Sequence, residues 1–341
     1  MPNTSSRTTY RLGFDCNNAC VFCGQLDRSG SQAIDRAELQ RLRRDHNALS
    51  IIGGEPSLDP RLLELVELAR ELGFSDIGLQ TNAQFMAEDP KLLERLVRAG
   101  LSDLHLSIHA PDAAGHDYLT GTAGSFANCM AALDEATRQG VSTVVTSVIT
   151  RSNFRELLNM PGLLKPRGVA AWLIDLVRPY GNAAEGFARV MPRIGMALPW
   201  ALHALESSRR HALLAWIRGA PTCSLGPFAA FAIHDAPRSY VEACEGCPAR
   251  SGCPGVDDAY LEVFGRRELR PVSPKKAAAS DARRRHLMEM FVGPGELVEH
   301  PIRLFSEGFR SEGIQTDAGK HRLPVLANTS APEPDSGSTP S

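Results

Sequence analysis

Three cysteines lie within eight positions near the N-terminus, in the segment FDCNNACVFCGQ: Cys16, Cys20 and Cys23. Thiolates are soft ligands, and soft ligands favour zinc or iron–sulfur clusters. A tetrahedral zinc site has four ligands, and a [4Fe–4S] cluster has four irons that each need one. Three clustered thiolates therefore leave one metal position open, and an open position is where a substrate can bind.

A second cysteine group has C-x20-C-x2-C-x5-C spacing: Cys223, Cys244, Cys247 and Cys253. Four thiolates close a tetrahedral zinc site or hold a complete [4Fe–4S] cluster. Gly246 supplies backbone freedom inside the x2 turn. The eighth cysteine, Cys129, is predicted to be a buried apolar residue in a helix, because free cysteines are usually found in cores. A role for Cys129 as a hydrogen-atom donor would require it to face the strand ends.

The segments that could position the first cysteine group run from residue 9 to about 180, and they alternate between strand and helix patterns. Six segments have strand patterns: TYRLGF, ALSII, DIGLQTN, DLHLSIHA, STVVTSVIT and AAWLIDLVRP. Helices are predicted near 35–45, 60–73, 90–100 and 124–140, with Ser125 capping the last. A short helix is also predicted over FRELLNM, with Asn153 as its cap. This alternation predicts a parallel sheet, either a partial barrel or doubly wound. Polar clusters follow the strands, at the edge where such sheets bind ligands.

The remainder of the chain is less regular. Residues 191–219 are predicted to be helical. Residues 220–256 are rich in Cys, Pro and Gly, and a segment of this composition usually needs a bound metal or a cross-link to stabilise its fold. The segments DDAYLEVFG and AASDARRRHLMEMF are predicted helices, and disorder is predicted from about 322 onward.

Bulk composition excludes several classes of protein. The 341 residues carry a net charge of −2, so no electrostatic footprint for nucleic acid or an anionic membrane stands out. No apolar run reaches the roughly 18 residues of a membrane span, and the N-terminus lacks the apolar region of a secretory signal. We therefore expect a cytoplasmic protein with no nucleic-acid or membrane partner.

The first cysteine loop, GGEP at 53–56, and the TN and SIHA strand ends together resemble the radical S-adenosylmethionine (SAM) enzymes over residues 9–180. The resemblance implies an α/β fold, a partial (β/α)6 TIM-type barrel, and a [4Fe–4S] cluster on the three cysteines. The open iron would bind the amino and carboxylate groups of SAM. Reductive cleavage of SAM, driven by a donor such as flavodoxin or ferredoxin, would give a 5′-deoxyadenosyl radical that abstracts hydrogen from a substrate.

The same resemblance implies SAM-binding roles for six residues: Phe22, Gly53, Gly54, Glu55, Asn82 and Ser107. Phe22 would pack on the adenine, the two glycines would let the backbone approach the methionine moiety, and Glu55 would accept from the ammonium. Asn82 and Ser107 would contact ribose or carboxylate, although polar residues at strand ends also cap turns. The role of His109 is open.

The second cysteine group resembles the core of the SPASM region, or of its shorter twitch relative, found in many radical SAM enzymes. The full SPASM pattern has seven cysteines, whereas this group has four, which is enough for one fully ligated auxiliary [4Fe–4S] cluster. Such a cluster would relay an electron or shape the substrate pocket. The implied organisation is a core barrel over 8–219, an auxiliary-cluster region over 220–270, a helical extension over 271–320 and a disordered tail over 321–341.

The function implied is that of a radical SAM oxidoreductase or maturase acting on a small molecule or a ribosomal peptide. Arg178 and Tyr180, after the sixth strand, could reach the substrate. Arg178 could clamp a carboxylate or phosphate, or form a surface salt bridge. Two alternatives remain open from the sequence: an iron–sulfur protein that only carries electrons, and a zinc-stabilised α/β binding protein.

Overall fold

The computed structural model describes residues 7–25, 30, 32–233, 237–272, 277–278, 291 and 304–305. Eight strands form one parallel sheet in sequential order, which confirms the predicted α/β partial barrel. Their bounds are β1 Arg7–Arg11, β2 Ala48–Ile52, β3 Asp76–Thr81, β4 Asp103–Ser107, β5 Ser142–Ile149, β6 Ala171–Leu176, β7 Leu214–Arg218 and β8 Ala232–Ile233. A separate antiparallel pair joins β9 Ala277–Ala278 to β10 Leu304–Phe305.

Helices connect successive strands. Their bounds are α1 Arg36–Asp45, α2 Leu62–Glu71, α3 Gln84–Glu88, α4 Leu92–Ala99, α5 Ala113–Thr120, α6 Ser125–Arg138, α7 Met160–Leu164, α8 Gly181–Glu185, α9 Phe187–Val190, α10 Ile194–Arg210 and α11 Asp258–Phe264. In the described part of the chain, none of these helices is long and apolar enough to cross a membrane.

Four strands were not predicted, two in the main sheet and the two of the antiparallel pair β9–β10. Residues 191–219 have a helical pattern, and α10 fills most of this range, but Leu214–Arg218 pairs with β6 as β7. The strand β8 has only two residues and lies beyond the predicted barrel boundary at 219. The strand β7 adds to the edge of β6, and β8 adds to the edge of β7, because an open edge presents backbone groups that need hydrogen-bond partners. The predicted helix over AASDARRRHLMEMF lies outside the described residues, apart from Ala278, which belongs to β9, and Phe291. The predicted tail also lies outside the described residues.

Two predicted helix caps are wrong. Ser125 is the first residue of α6 rather than its cap, and the side chain of Asp117 on α5 accepts from the Gly124 and Phe126 amides instead. Asn153 does not cap a helix. Its side chain donates to the carbonyl oxygens of His109 and Val148, so it ties the ends of β4 and β5 together. Tertiary contacts therefore use groups that the sequence pattern assigned to local caps.

The two faces of the sheet have different chemistry. Leu104 and Leu106 of β4 join the main apolar core beneath the helices. Asp103 and His105, one residue out of phase, lie on the opposite face, because successive strand residues alternate sides. This second face is buried but polar near β1 to β4.

An ion pair on this face joins the first and fourth strands. The Arg7 guanidinium donates to both carboxylate oxygens of Asp103, at 3.1 and 2.7 Å, and also to the Ser50 hydroxyl at 3.1 Å. The side chains of Arg7 and Asp103 are 0% and 7% exposed. Gly78 of β3 makes room for the pair, since a Cβ there would overlap both side chains.

Asp103→Ala is expected to lower the free energy of unfolding by about 3–5 kcal/mol, because it leaves the buried Arg7 charge without its partner. Urea denaturation of the full chain measures this change. The matched control is Glu94→Ala, which removes the exposed Glu94–Arg98 pair and should change the free energy of unfolding by less than about 1 kcal/mol. Equal effects of the two substitutions would contradict the prediction.

Candidate metal and cofactor site

The first cysteine loop is bound by the backbone that follows β2. The Gly54 amide donates to the Gly13 carbonyl at 3.1 Å, and the Glu55 amide donates to the Asp15 carbonyl at 2.7 Å. A Cβ on Gly54 would overlap the carbonyl groups of Phe14 and Asp15. The structure thus gives Gly54 a role in holding the cysteine loop, and its approach to the methionine part of SAM stays a prediction.

Glu55 lies at the junction of β2 and β3, and is only 3% exposed. Its carboxylate accepts from the Ser57 amide (3.0 Å) and hydroxyl (2.6 Å), the Thr81 hydroxyl (2.6 Å) and the Asn82 amide (2.5 Å). Desolvation raises the pKa of this carboxyl, and the hydrogen bonds oppose the rise. Glu55 therefore fastens two strand ends together, and its contact to the SAM ammonium stays a prediction.

Asn82, directly after β3, reaches the cysteine loop. Its side-chain amide donates to the Asn17 side-chain oxygen at 2.8 Å and lies 3.8 Å from the Cys16 sulfur. Its own side-chain oxygen accepts from the Gln84 amide, as in a helix-starting turn. Ser107 ends the neighbouring strand β4, next to β3 in the sheet. The structure thus brings these two predicted residues to the same edge as the first cysteine group.

The far side of the loop is held by segments that the sequence analysis missed. The amides of Ala19 and Val21 donate to the carbonyls of Thr120 and Leu119, at the end of α5. The Asn182 side chain donates to the Cys20 carbonyl at 2.9 Å. The only sequence signal for Asn182 is its place after the sixth strand, close to the substrate-contact candidates Arg178 and Tyr180.

Tyr180 is 52% exposed and lies beside Gly24, just past the third cysteine. Arg178 is partly buried. The placement of Tyr180 next to the cysteine loop agrees with its predicted reach toward a substrate there, and substrate contact by either residue stays a prediction.

Below the loop lies an aromatic stack made by Phe22, His109 and His116. The Phe22 and His109 rings meet edge to face with centroids 4.5 Å apart, and the two imidazoles are stacked at 5.6 Å. His109 Nδ1 accepts from the Val148 amide, and His116 Nδ1 accepts from the His109 amide. Burial lowers the pKa of His116 to about 4 and holds the pKa of His109 well below its usual value. Both rings are therefore neutral near pH 7.

Cys129 is fully buried in the main core, as predicted. Its thiol lies 3.3 Å from the Asn82 carbonyl and 3.6 Å from the Ser107 carbonyl, so it contacts the ends of β3 and β4 from below. Burial raises the pKa of this thiol to about 12. A protonated, buried thiol that donates to two strand-end carbonyls supports the site and does not contact bulk solvent.

The four cysteines of the second group line one cavity. The Cys253 sulfur accepts from the Thr222 and Gly255 amides, each at 3.4 Å. Amide donors of this kind tune the potential of iron–sulfur centres. Gly246 has φ +69°, which confirms the predicted need for glycine in the x2 turn.

All eight cysteines are free of disulfides. Among the described residues, no three His, Cys, Asp or Glu side chains lie close enough to hold a single metal ion. In the first group, Cys16 is exposed and Cys20 and Cys23 are partly exposed, so their thiols lie on the surface of the loop and not in the core. Both groups thus offer thiols at a surface or at a cavity.

Comparison with known proteins agrees with this arrangement. Residues 10–160 match the model of the Radical SAM superfamily. Mycofactocin maturase MftC from Mycobacterium ulcerans is 29% identical over 195 residues, which cover 54% of this chain and 50% of the maturase. The AdoMet-dependent heme synthase of Methanosarcina barkeri is 25% identical over 194 residues, covering 54% of each protein.

The fold is also found among solved structures. Streptococcus suis SuiB bound to S-adenosylmethionine superposes with a TM-score of 0.52 at 15% identity, over 64% of this chain and 51% of SuiB. Residues 10–160 of this chain therefore carry a radical SAM domain. It spans about half the length of the curated relatives it matches.

The buried histidines predict a loss of stability in acid. In the unfolded chain the pKa of His116 is about 6.5, and in the folded protein it is about 4. Between pH 6.5 and 4 the unfolded chain binds a proton at His116 and the folded protein does not. The free energy of unfolding therefore falls as the pH falls through this range, by up to about 1.4 kcal/mol per pH unit, and this contribution is fully present only above pH 6.5. When the pH is lowered from 7 to 4, the free energy of unfolding of the native chain should fall by about 3 kcal/mol more than that of the His116→Gln variant. Urea denaturation across this pH range measures the difference.

His203→Gln serves as the control for this experiment, because His203 is exposed on α10. It should keep the pH dependence of the native chain. If His116→Gln and the native chain lost stability in parallel, the proposed neutrality of the buried ring would be wrong.

Proposed function

We propose that this protein is a radical SAM enzyme in which Cys16, Cys20 and Cys23 ligate a [4Fe–4S] cluster with one open iron. The observation that carries the proposal is the loop that bears these cysteines. Backbone of the Gly53–Glu55 segment and the side chain of Asn82 hold it at the carboxyl edge of the sheet, inside a radical SAM domain. When bound, the reduced cluster supplies the electron that cleaves SAM.

The chain's own residues would then orient SAM. Polar groups at this edge come from Asn82 and Ser107, and Phe22 offers an aromatic edge next to a neutral His109. A neutral imidazole adds no charge of its own at this edge of the sheet. We assign Glu55 chiefly to holding the strand ends, because four donors already engage its carboxylate.

We further propose that Cys223, Cys244, Cys247 and Cys253 ligate a second [4Fe–4S] cluster in a SPASM- or twitch-like region. The shared cavity and the two amide donors to Cys253 support this assignment. Four thiolates satisfy all four irons, so this cluster would relay an electron or border the substrate and would not bind it directly. A reductant such as flavodoxin or ferredoxin would supply the first electron.

The substrate class we propose is a ribosomal peptide or a small molecule. Matched relatives include a maturase and a heme synthase, so the shared half of the chain is compatible with either. A pure electron carrier would have no use for an open iron, and a zinc-stabilised binding protein would not need the Gly53–Gly54 approach to a three-cysteine loop. Both alternatives are therefore less well supported than the enzyme.

Anaerobic reconstitution with iron and sulfide should give about eight irons per chain in the native protein and about four in Cys20→Ala. With dithionite and SAM, the native protein should release 5′-deoxyadenosine, and Cys20→Ala should release none, because the open-iron cluster does not assemble. Chromatography measures the nucleoside, and iron analysis measures the metal. Zinc without iron in the native protein, or no 5′-deoxyadenosine, would refute the proposal.

Cys247→Ala is the complementary variant. This variant should also hold about four irons. It should still cleave SAM, because its first cluster is intact, but it should form no product. Mass spectrometry of the substrate separates cleavage from product formation. Full product formation by Cys247→Ala would show that the auxiliary cluster is dispensable.

A further inference from the structure

We propose that Asn182 is a positioning residue for the first cluster, and that it fixes the half of the cysteine loop that carries Cys20 and Cys23. This inference rests on the proposed function, since it assigns a residue to the same cluster. Asn182 lies in the first turn of α8, directly after the end of β6. It does not belong to the cysteine loop, and it is 162 positions from its partner in sequence.

The contact itself is a single, well-formed hydrogen bond. The Asn182 side-chain amide donates to the carbonyl oxygen of Cys20 at 2.9 Å, in a partly buried position. Cys20 is the central cysteine of the three. Its carbonyl also accepts from the Cys23 amide at 3.2 Å, so the Asn182 amide joins a turn that already links two of the proposed ligands. Holding that carbonyl fixes the peptide planes on either side of it.

Gly181 makes the approach possible. It has φ +52°, in the left-handed region that glycine adopts without strain. A Cβ on Gly181 would lie 2.6 Å from the carbonyl oxygens of both Cys23 and Gln25. The segment after β6 therefore lies directly against the backbone of the cysteine loop, and only a residue without a side chain fits there.

The two halves of the loop are held by different parts of the sheet. The Cys16 half is bound by segments after β2 and β3, through Glu55 and Asn82. The Cys20–Cys23 half is bound by α5 and by Asn182. Groups that orient metal ligands from outside the ligand set affect both affinity and potential of a centre. Asn182 is the side chain that does this from the β6 end, next to Tyr180.

Asn182→Ala and Asn182→Asp test the inference against Asn47→Ala. Asn47 is the matched control because it also loses a partly buried side-chain hydrogen bond, to Arg43, at the opposite edge of the sheet. The readouts are iron content, the reduction potential of the first cluster, and the Kd for SAM obtained from the change that SAM causes in the cluster's paramagnetic resonance spectrum. Each variant also carries Cys247→Ala, so that only the first cluster is observed.

We expect Asn182→Ala to weaken SAM binding about 10-fold and to shift the potential, with Asn47→Ala unchanged. Asn182→Asp should be worse, because it keeps the shape but turns an acceptor toward the Cys20 carbonyl. If Asn182→Asp matched the native protein in potential and in Kd, the inference would be wrong.

Hydrogen exchange in the protein without metal provides a test that does not depend on the cluster. Asn182→Ala should exchange the amides of residues 19–25 about 10-fold faster than the native chain, and Asn47→Ala should not. Gly181→Ala should produce the same acceleration by forcing the two segments apart, with Gly186→Ala as its control, since a Cβ on Gly186 meets only flexible side chains at ordinary contact distance.

These readouts separate the two proposals. If the native chain takes up no cluster, the proposed function fails, and hydrogen exchange still decides whether Asn182 holds the loop. If the native chain binds SAM at a cluster and the Asn182 variants behave as Asn47→Ala does in all assays, the positioning role fails and the proposed function stands.

Discussion

The site depends on the close approach of two backbone segments, the turn after β2 and the loop that carries the first three cysteines. This approach is possible because Gly54 has no Cβ, which would overlap the carbonyls of Phe14 and Asp15. Two backbone hydrogen bonds then join the segments. A loop of 12 or so residues loses considerable conformational entropy when it is ordered, and these bonds help to offset that cost. The cysteines are presented on a loop that the sheet itself orders.

Polar contacts surround the place where the turn after β2 meets the cysteine loop. Glu55 fastens the β2 and β3 ends through four hydrogen bonds, and Asn82 continues the connection to Asn17 beside Cys16. Beneath them, Cys129 bonds to the strand-end carbonyls and a pair of neutral imidazoles fills the space under Phe22. The thiol of Cys129 and the two imidazoles are uncharged near pH 7. Rigid support of this kind is what positions a ligand set to within fractions of an ångström.

The sequence predicted most of the sheet and the polar residues at its carboxyl edge, because hydrophobic periodicity and glycines at the ends of helices are local signals. Six strands and the residues at their ends were found in this way, and Cys129 was correctly assigned to the core. What it missed depends on contacts across long stretches of chain. Asp117 replaces Ser125 as the cap of α6, and the short β7 and β8 are recruited by the open sheet edge. Asn182 carried no local pattern that pointed to Cys20, and the functions of the cysteines remain predictions.

The hydrogen bond from Asn182 to Cys20 also has a consequence for the order of events during synthesis. The cysteine loop leaves the ribosome early, whereas its last support comes from 162 residues further along. Until six strands have been made and paired, that half of the loop lacks its β6 contact, and closing so long a stretch of chain is slow relative to forming local helices. If the loop binds a cluster as proposed, its Cys20–Cys23 half would therefore gain its full support only after most of the barrel has formed.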